Sequence, residues 1–427
     1  MRSMHAAVRA ANRLTARWAS EARAGTVFSA AGVWPLLALL ADGAAGAARE
    51  ELEEALGLPA GQAGAAAREF LAMLSGIDGL SSALGLWTAR FVELREEWAA
   101  RLPVGAHGVL TGDAAADGRA LDAWAAERTG GAIGRVRVEP VPDTSLVVAS
   151  ALVLGADWEV PFEGHVGSWL GRHDRAGLVR EVPGLDGVAV ARTGVGTVTR
   201  VVVRGVTGVD VHLLLGTERM GPGEVLGAGT GLLSGALDAV PGSRLPEGEA
   251  GPGLLVFKRR THTPEPPSLS LFTVEFTLRA EHDLLASRGL FGLTTAARDT
   301  PGAAPFPGVS RTPLVLDRAR QTMTATFGAE GFRAAAVATF AAVYRGRSPE
   351  EPPYETTRAM ACFDRPFGFL TVHRGSGLVL AAGWVSDPTP FARDEGGRAL
   401  SRSPGAAGPV PRSSRRGTGR PPRVRRG

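Results

Sequence analysis

Apolar residues recur at intervals of three and four from Met4 to Glu21 and from Val33 to Leu56, and alanine is abundant in both stretches, so the chain opens on two predicted helices. The same period from Leu121 to Val136, with the Gly130-Gly131 pair, predicts a further helix and its stop signal. After Thr144 the pattern changes to short β-branched or aromatic runs bounded by Gly, Pro or polar residues. These predict strands over Ser145 to Leu154, Val198 to Val203, Val209 to Leu215, Leu254 to Lys258, Leu269 to Leu278, Gln321 to Phe327, Gly368 to Val372 and Leu378 to Val385. Helices first and strands later predict an α+β fold rather than alternating α/β.

Composition narrows the picture. The 427 residues are 44% apolar and 21% charged, enough to bury a sizeable core. Gly and Pro make about a fifth of the chain, which argues against a helical bundle. The longest apolar stretch, Val33 to Leu40, falls far short of the roughly 20 residues a membrane helix needs, so no membrane partner is expected. The N-terminus carries repeated Arg and no apolar centre of a secretory signal, which leads to an expectation of cytoplasmic residence. A single cysteine, Cys362, excludes an intramolecular disulfide framework. Arg supplies nearly all the positive charge beside one lysine, Lys258, which with the Ala and Gly richness suggests a GC-rich genome.

The formal charge of +4 divides unevenly. From Thr389 onward the chain is rich in Gly, Pro, Ser and Arg and lacks periodicity, so 389–427 is expected to be a disordered tail on a body of residues 1–388. Ten Arg against Asp394 and Glu395 give the stretch beyond Phe391 +8, leaving −4 on the rest. Nucleic acid is therefore not an expected partner of the body; tail contact with it or with anionic surfaces stays open beside a solvated extension.

Conventional catalytic constellations are missing. Ser376 in HRGSGL lacks the leading Gly of a nucleophile elbow, and Lys258 in VFKRRT is not in a phosphate-binding loop. Gly221 to Gly231, GPGEVLGAGTG, reads as a loop. His165 and His173 near Asp174, and His282 between Glu281 and Asp283, read as surface histidines in loops or a helix start rather than metal ligands. No metal, cofactor or catalytic residue is expected.

Five separated stretches taken together are informative. The first is LDAWAAERTGGAIGRV followed by TSLVVASALVLGADWEVPF, with Trp124, Thr129, Gly131, Ile133, Trp158, Pro161 and Phe162. The second is FDRPFGFLTVHRGSGLVLAAGWVSDP, with Phe363, Arg365, Pro366, Phe367, Gly383, Val385 and Pro388. Phe28-Ser29 and the FPGVS of Phe306 to Ser310 complete the set with Thr322 to Tyr344, TMTATFGAEGFRAAAVATFAAVY. In their order along the chain they resemble the serpin (serine protease inhibitor) family, in a bacterial, actinobacterial-type member, over essentially residues 1 to 388.

The resemblance implies a large central mixed sheet, smaller sheets and an exposed reactive loop at about 329–356. On propensity alone Ala334 to Val343 is a helix. In the family it is instead bait that, once cleaved, enters the central sheet as a strand. Entry requires small, weakly charged, proline-free residues. Gly331 to Tyr344 contains no proline, and its only charge, Arg333, falls on the face opposite Phe332, Ala334 and Ala336. The hinge is thus Gly331, Phe332, Arg333, Ala334, Ala335 and Ala336. The family's loop count sets the scissile bond at Arg345-Gly346, with Arg347-Ser348 as the alternative.

The implied function is suicide inhibition of a trypsin- or subtilisin-like serine protease that cuts after Arg, through a covalent complex formed by a monomer with no catalysis of its own. A non-trapping binding module or simple protease substrate is the alternative, and extracellular residence is the family's alternative to the cytoplasm. The sheet-opening region would comprise Ser29, Ser150, Trp158 and Gln321. Departures from the family pattern are Phe332 in place of a small residue or Val, Arg333 and Ala329 in place of acids, Ala30 for Pro, and Gly32, Ser150 and Gln321 where Ser, Asn and His are usual.

Overall fold

A computed structural model of the protein describes residues 2–136, 143–297, 304–331 and 352–391. The first predicted helix spans Arg2–Ser20. The second divides into Ala30–Asp42 and Gly46–Leu56, and Gly43, which caps the first piece, packs against Val309 too closely to carry a side chain. The third starts earlier than its apolar period, at Ala114, where the Asp113 carboxylate accepts from Ala116 N (2.9 Å). It ends at Arg128, before Gly130 and Gly131 at φ 60° and 83°.

Two stretches depart from the sequence reading. Gly221 to Gly231 is not a loop: Pro222–Ser234 is a helix. Its glycines cost propensity, but Gly229 lets it press against Leu214 and Leu370 while Val225 and Leu226 bury completely, so packing outweighs propensity. Leu269 to Leu278 is two strands, Ser268–Val274 and Phe276–Asp283, which belong to different sheets. Helix Ala60–Ser75 and strands Leu80–Ala89 and Tyr354–Cys362 lie in stretches where the sequence predicts no element.

The described residues form three sheets, confirming the α+β class. A five-stranded sheet runs, edge to edge, Phe276–Asp283, Arg318–Phe327, Leu146–Leu154, Leu80–Ala89 and His107–Leu110. Its centre is a parallel pair, Arg318 to Thr324 against Val147 to Val153, flanked by antiparallel partners. A six-stranded sheet contains Leu254–Thr261, Tyr354–Cys362, Ser268–Val274 and Arg172–Pro183 as successive neighbours. A seven-stranded sheet carries the two C-terminal strands Phe367–His373 and Leu378–Val385. Helix Ala30–Asp42 is buried from Ala30 to Ala41, which explains its nearly unbroken apolar sequence.

Beyond Pro388, Thr389 O accepts from Ala176 N (2.9 Å) and Phe391 N donates to Asp174 O (3.0 Å), so the chain stays docked as far as Phe391.

Candidate functional site

The parallel pair at the centre of the five-stranded sheet is where the site is built. Strand Arg318–Phe327 alternates strictly between half-buried and buried positions, the pattern of a pleated strand with one face on the core. Gln321 is on the buried face and opposite Ser150 in register. Its Nε2 donates to Ser150 Oγ (3.1 Å) and to Ser29 O (2.8 Å), and its Oε1 accepts from Ser29 N (2.8 Å).

Ser29 also caps the helix behind the sheet. Its Oγ accepts from Gly32 N (3.0 Å) and donates to Leu380 O (2.6 Å). Ser29, Ser150 and Gln321 therefore join two strands, a helix start and a strand of a second sheet in one buried polar cluster. The departures from the family pattern at Gly32, Ser150 and Gln321 would suggest fewer hydrogen bonds here, yet Ser29, Ser150 and Gln321 bond one another. Gly32 is part of the reason: a Cβ there would stand 3.3 Å from Gln321 Nε2, so the missing side chain leaves room for the longer glutamine. On the other side of Gln321 its register partner is His282, whose Nε2 bonds Val27 O (2.9 Å). His282 is thus a strand residue packed on Trp18, not a loop or helix-start residue, and burial lowers its pKa. His165 and His173 are also on strands, Glu163–Trp169 and Arg172–Pro183.

Trp158 lies elsewhere, at the end of the seam where strand Arg318–Phe327 finishes. Its Nε1 donates to Gly328 O (2.9 Å) and its N to Glu330 O (3.0 Å), while Phe162 N donates to Ala329 O (2.8 Å). Gly328 N closes the turn onto Gly331 O (2.9 Å), and Gly331 is bridged to Asp157. A side chain on Gly331 would collide with Ala156 O, which accounts for a glycine at the start of the hinge. Aromatic packing fills this end: the Trp158 and Phe327 rings are 5.0 Å apart, and Phe276 stacks on Phe327 at 5.3 Å. Arg180 covers the Phe162 ring at 4.7 Å and donates to Val160 O (3.0 Å); burial brings its pKa down to about 10, so it stays charged at neutral pH. Arg374 braces the same corner through a bidentate pair with Asp210 (2.7 and 2.9 Å) and a contact to Glu159 (3.1 Å).

Of the hinge, Gly331 is described; Phe332, Arg333, Ala334, Ala335 and Ala336 lie outside the described residues, as do Arg345, Gly346, Arg347 and Ser348. The chain is described again from Pro352 and enters the six-stranded sheet at Tyr354. Phe327 and Phe276 are site residues that sequence reasoning missed, and His282 is one that it read as a surface histidine. The signal of the two phenylalanines was present only as apolar positions at strand ends.

The architecture can be placed among known proteins. A family model described as Serpin (serine protease inhibitor) matches residues 5–166. The native state of tengpin, a thermophilic serpin, superposes with a TM-score of 0.68 over 89% of this chain and 94% of its own, at 12% identity. The protein has the serpin fold. Human thyroxine-binding globulin complexed with thyroxine gives a TM-score of 0.65 at 18% identity, over 91% of this chain and 98% of that one. A serpin from the trematode Schistosoma haematobium gives 0.62 at 14% identity, over 91% and 100%. No curated protein matches the chain. Within the serpin fold, the described residues hold no cluster of three or more His, Cys, Asp or Glu able to hold a metal, and no helix long and apolar enough to cross a membrane.

Proposed function

We propose that this protein is a serine-type endopeptidase inhibitor that traps its target by inserting its cleaved loop into the five-stranded sheet. The observation that carries this reading is the parallel central pair. A chain leaving the end of Arg318–Phe327 and reversing at Gly331 would run antiparallel to both central strands if it entered between them. Each central strand would exchange a parallel neighbour for antiparallel ladders, the slightly more stable pairing per residue. The proline-free sequence from Gly331 to Tyr344 is compatible with such a strand.

In the proposed mechanism a serine protease attacks the carbonyl of Arg345, or of Arg347, and the bond to the next residue breaks with the new amine leaving on Gly346 or Ser348. The enzyme's serine stays esterified to the Arg. Entry of the released strand drags the protease away before water completes hydrolysis. A protease with an acidic specificity pocket is the natural target, since guanidinium and carboxylate pair bidentately. The bacterial, actinobacterial-type placement rests on the Arg-over-Lys, Ala- and Gly-rich composition.

The test is to mix the protein with trypsin and run denaturing gels. The expected result is a complex that survives boiling in detergent and is lost in Arg345→Ala. Cleaved protein without any such complex contradicts the proposal. Complex formation by Arg345→Ala would instead move the scissile bond to Arg347. Should Phe332 slow entry between the strands, Phe332→Thr raises the complexed fraction.

A second reading, a small-molecule binding module, is supported by a cleft of about 650 Å³ between helix Arg2–Ser20, helix Pro222–Ser234 and the turn after His373. Asn12 is already committed there to Gly377 O and Val379 N (2.8 and 2.9 Å), and Val8, Ala16 and Leu233 make the lining largely apolar. Absence of the detergent-stable complex together with saturable binding of an apolar fluorophore in this cleft would favour it.

A further inference from the structure

The strand that follows the loop, Tyr354–Cys362, is held on both edges. On one side it runs parallel to Ser268–Val274, with Ser268 opposite Arg358 and Phe272 opposite Cys362. On the other, Leu254–Thr261 pairs antiparallel along the whole strand, from Leu254 opposite Ala361 to Thr261 opposite Tyr354. That second partner is one arm of a hairpin with Gly248–Gly251, and Cys362 N donates to Gly253 O at its turn (2.7 Å). Gly253 has φ +59° and approaches Cys362 O so closely that a side chain would collide, so the turn is shaped to that contact. Leu254 and Val256 are buried, which seats the hairpin on the body, and Lys258 Nζ lies 3.5 Å from Glu355 Oε1.

Chain length gives this arrangement a consequence. Between Gly331 and Pro352 there are twenty residues. A strand matching Arg318–Phe327 uses ten of them to run down the five-stranded sheet, about 33 Å at about 3.3 Å per residue. The remaining ten, fully extended, reach at most about 33–36 Å, enough only for a straight return and nothing for passing around the sheet. An uncut chain can therefore insert fully only if Tyr354–Cys362 leaves its own sheet.

We infer that the hairpin 248–261 is a clamp that blocks insertion of the intact loop, so that the energy of insertion is released only after the loop is cut. The inference rests on the insertion reading above and concerns its regulation. A strand held by one partner can peel from an edge; here it must break its antiparallel ladder with 254–261 as well as its parallel one with 268–274. Cleavage removes the requirement, because the inserted part is then no longer tied to Tyr354.

The experiment uses the full chain as wild type, as Val256→Asp, which unseats the hairpin, and as Lys258→Glu/Arg260→Glu, which confronts Glu355 with like charge at two positions. Each protein is held some degrees below its own unfolding midpoint, and sampled for uncut protein that has become resistant to trypsin and melts at the temperature of nicked wild type. The clamp predicts little or no conversion of wild type and at least a tenfold faster conversion of both variants. It also predicts return towards the wild-type rate when Glu355→Lys is added to the double variant. The exposed charge variant serves where Val256→Asp fails to fold. Nicked wild type that gains stability, with folded variants converting no faster than wild type, overturns the clamp alone. Nicked wild type that gains no stability overturns the insertion reading and this inference with it.

Discussion

The two strands that flank the loop have matching surroundings and different seals. Arg318–Phe327 lies between an antiparallel neighbour and the parallel Leu146–Leu154; Tyr354–Cys362 lies between an antiparallel neighbour and the parallel Ser268–Val274. In both parallel seams a long polar side chain bonds a serine directly opposite in register, Gln321 to Ser150 and Arg358 to Ser268. The first bridge is neutral and wholly buried. The second is a cation that also pairs with Glu181 and Glu265 at the edge of solvent. A neutral bridge can exchange partners when strands separate without stranding a charge, whereas parting the second seam leaves Arg358 and two carboxylates to be rehydrated. The difference fits a division in which the central seam opens and the other holds.

Four measurements can break or sharpen that division. Trp158→Ala removes the ring between Phe162 and Phe327 and its bond to Gly328 O; unfolding in denaturant should show a loss of about 3–5 kcal/mol, and the hinge end should become accessible to proteases. A loss below about 1 kcal/mol would mean that this end does not hold the seam shut. Gln321→Ala strands Ser29 N and O and Ser150 Oγ at once, and should cost about 2–4 kcal/mol in the same assay. If the central seam is the one that opens, this variant also converts faster to a loop-inserted form than a variant of equal stability altered elsewhere.

The third measurement is pH dependence, whose largest single contribution should come from a histidine away from both seams. His212, in the seven-stranded sheet, is pushed down to about 4 by burial and by Arg200, with Asp210 opposing. Because its folded pKa is depressed, the unfolded chain takes up a proton that the folded chain refuses. Stability contributed by the neutral ring is present above about pH 6.5 and is lost as pH falls towards about 4, on the order of 3 kcal/mol. His107, His165, His282 and His373 shift the same way, so His212→Gln should reduce the slope of melting temperature against pH without abolishing it. An unchanged slope would relocate the titration. The smallest effect is expected for Arg358→Met, about 1–2 kcal/mol and diminishing at high salt because Glu181 and Glu265 are partly exposed. Salt independence would argue that the second seam is held by its ladders alone.

Much of this architecture was legible because it is written in local patterns. Helix Arg2–Ser20 and strands Leu146–Leu154 and Leu378–Val385 follow directly from their apolar periods. Ser29, Ser150 and Gln321 were identified together through the family resemblance, and the structure brings them within hydrogen-bonding distance. Trp158 was grouped with them but belongs to the opposite end of the strand. The grouping missed that separation because position along a strand is set by register, which no local pattern reports. The helix at Pro222–Ser234 was hidden by its glycines, whose use, close approach to Leu214 and Leu370, exists only in the folded protein. The hairpin arm over Tyr354–Cys362 was legible only in part: Leu254 to Lys258 is predicted as a strand, but its continuation through Arg259, Arg260 and Thr261 carries no apolar signal, and its partner lies a hundred residues away.

The central claim is that the five-stranded sheet accepts a further strand once the loop is cut. Its most direct test is the melting temperature of the protein before and after a single nick at Arg345 or Arg347, with both fragments retained. About ten added ladder residues at about 1 kcal/mol each should raise the midpoint by roughly 10 °C. A nicked protein that melts at the same temperature as the intact one, or below it, would contradict the account.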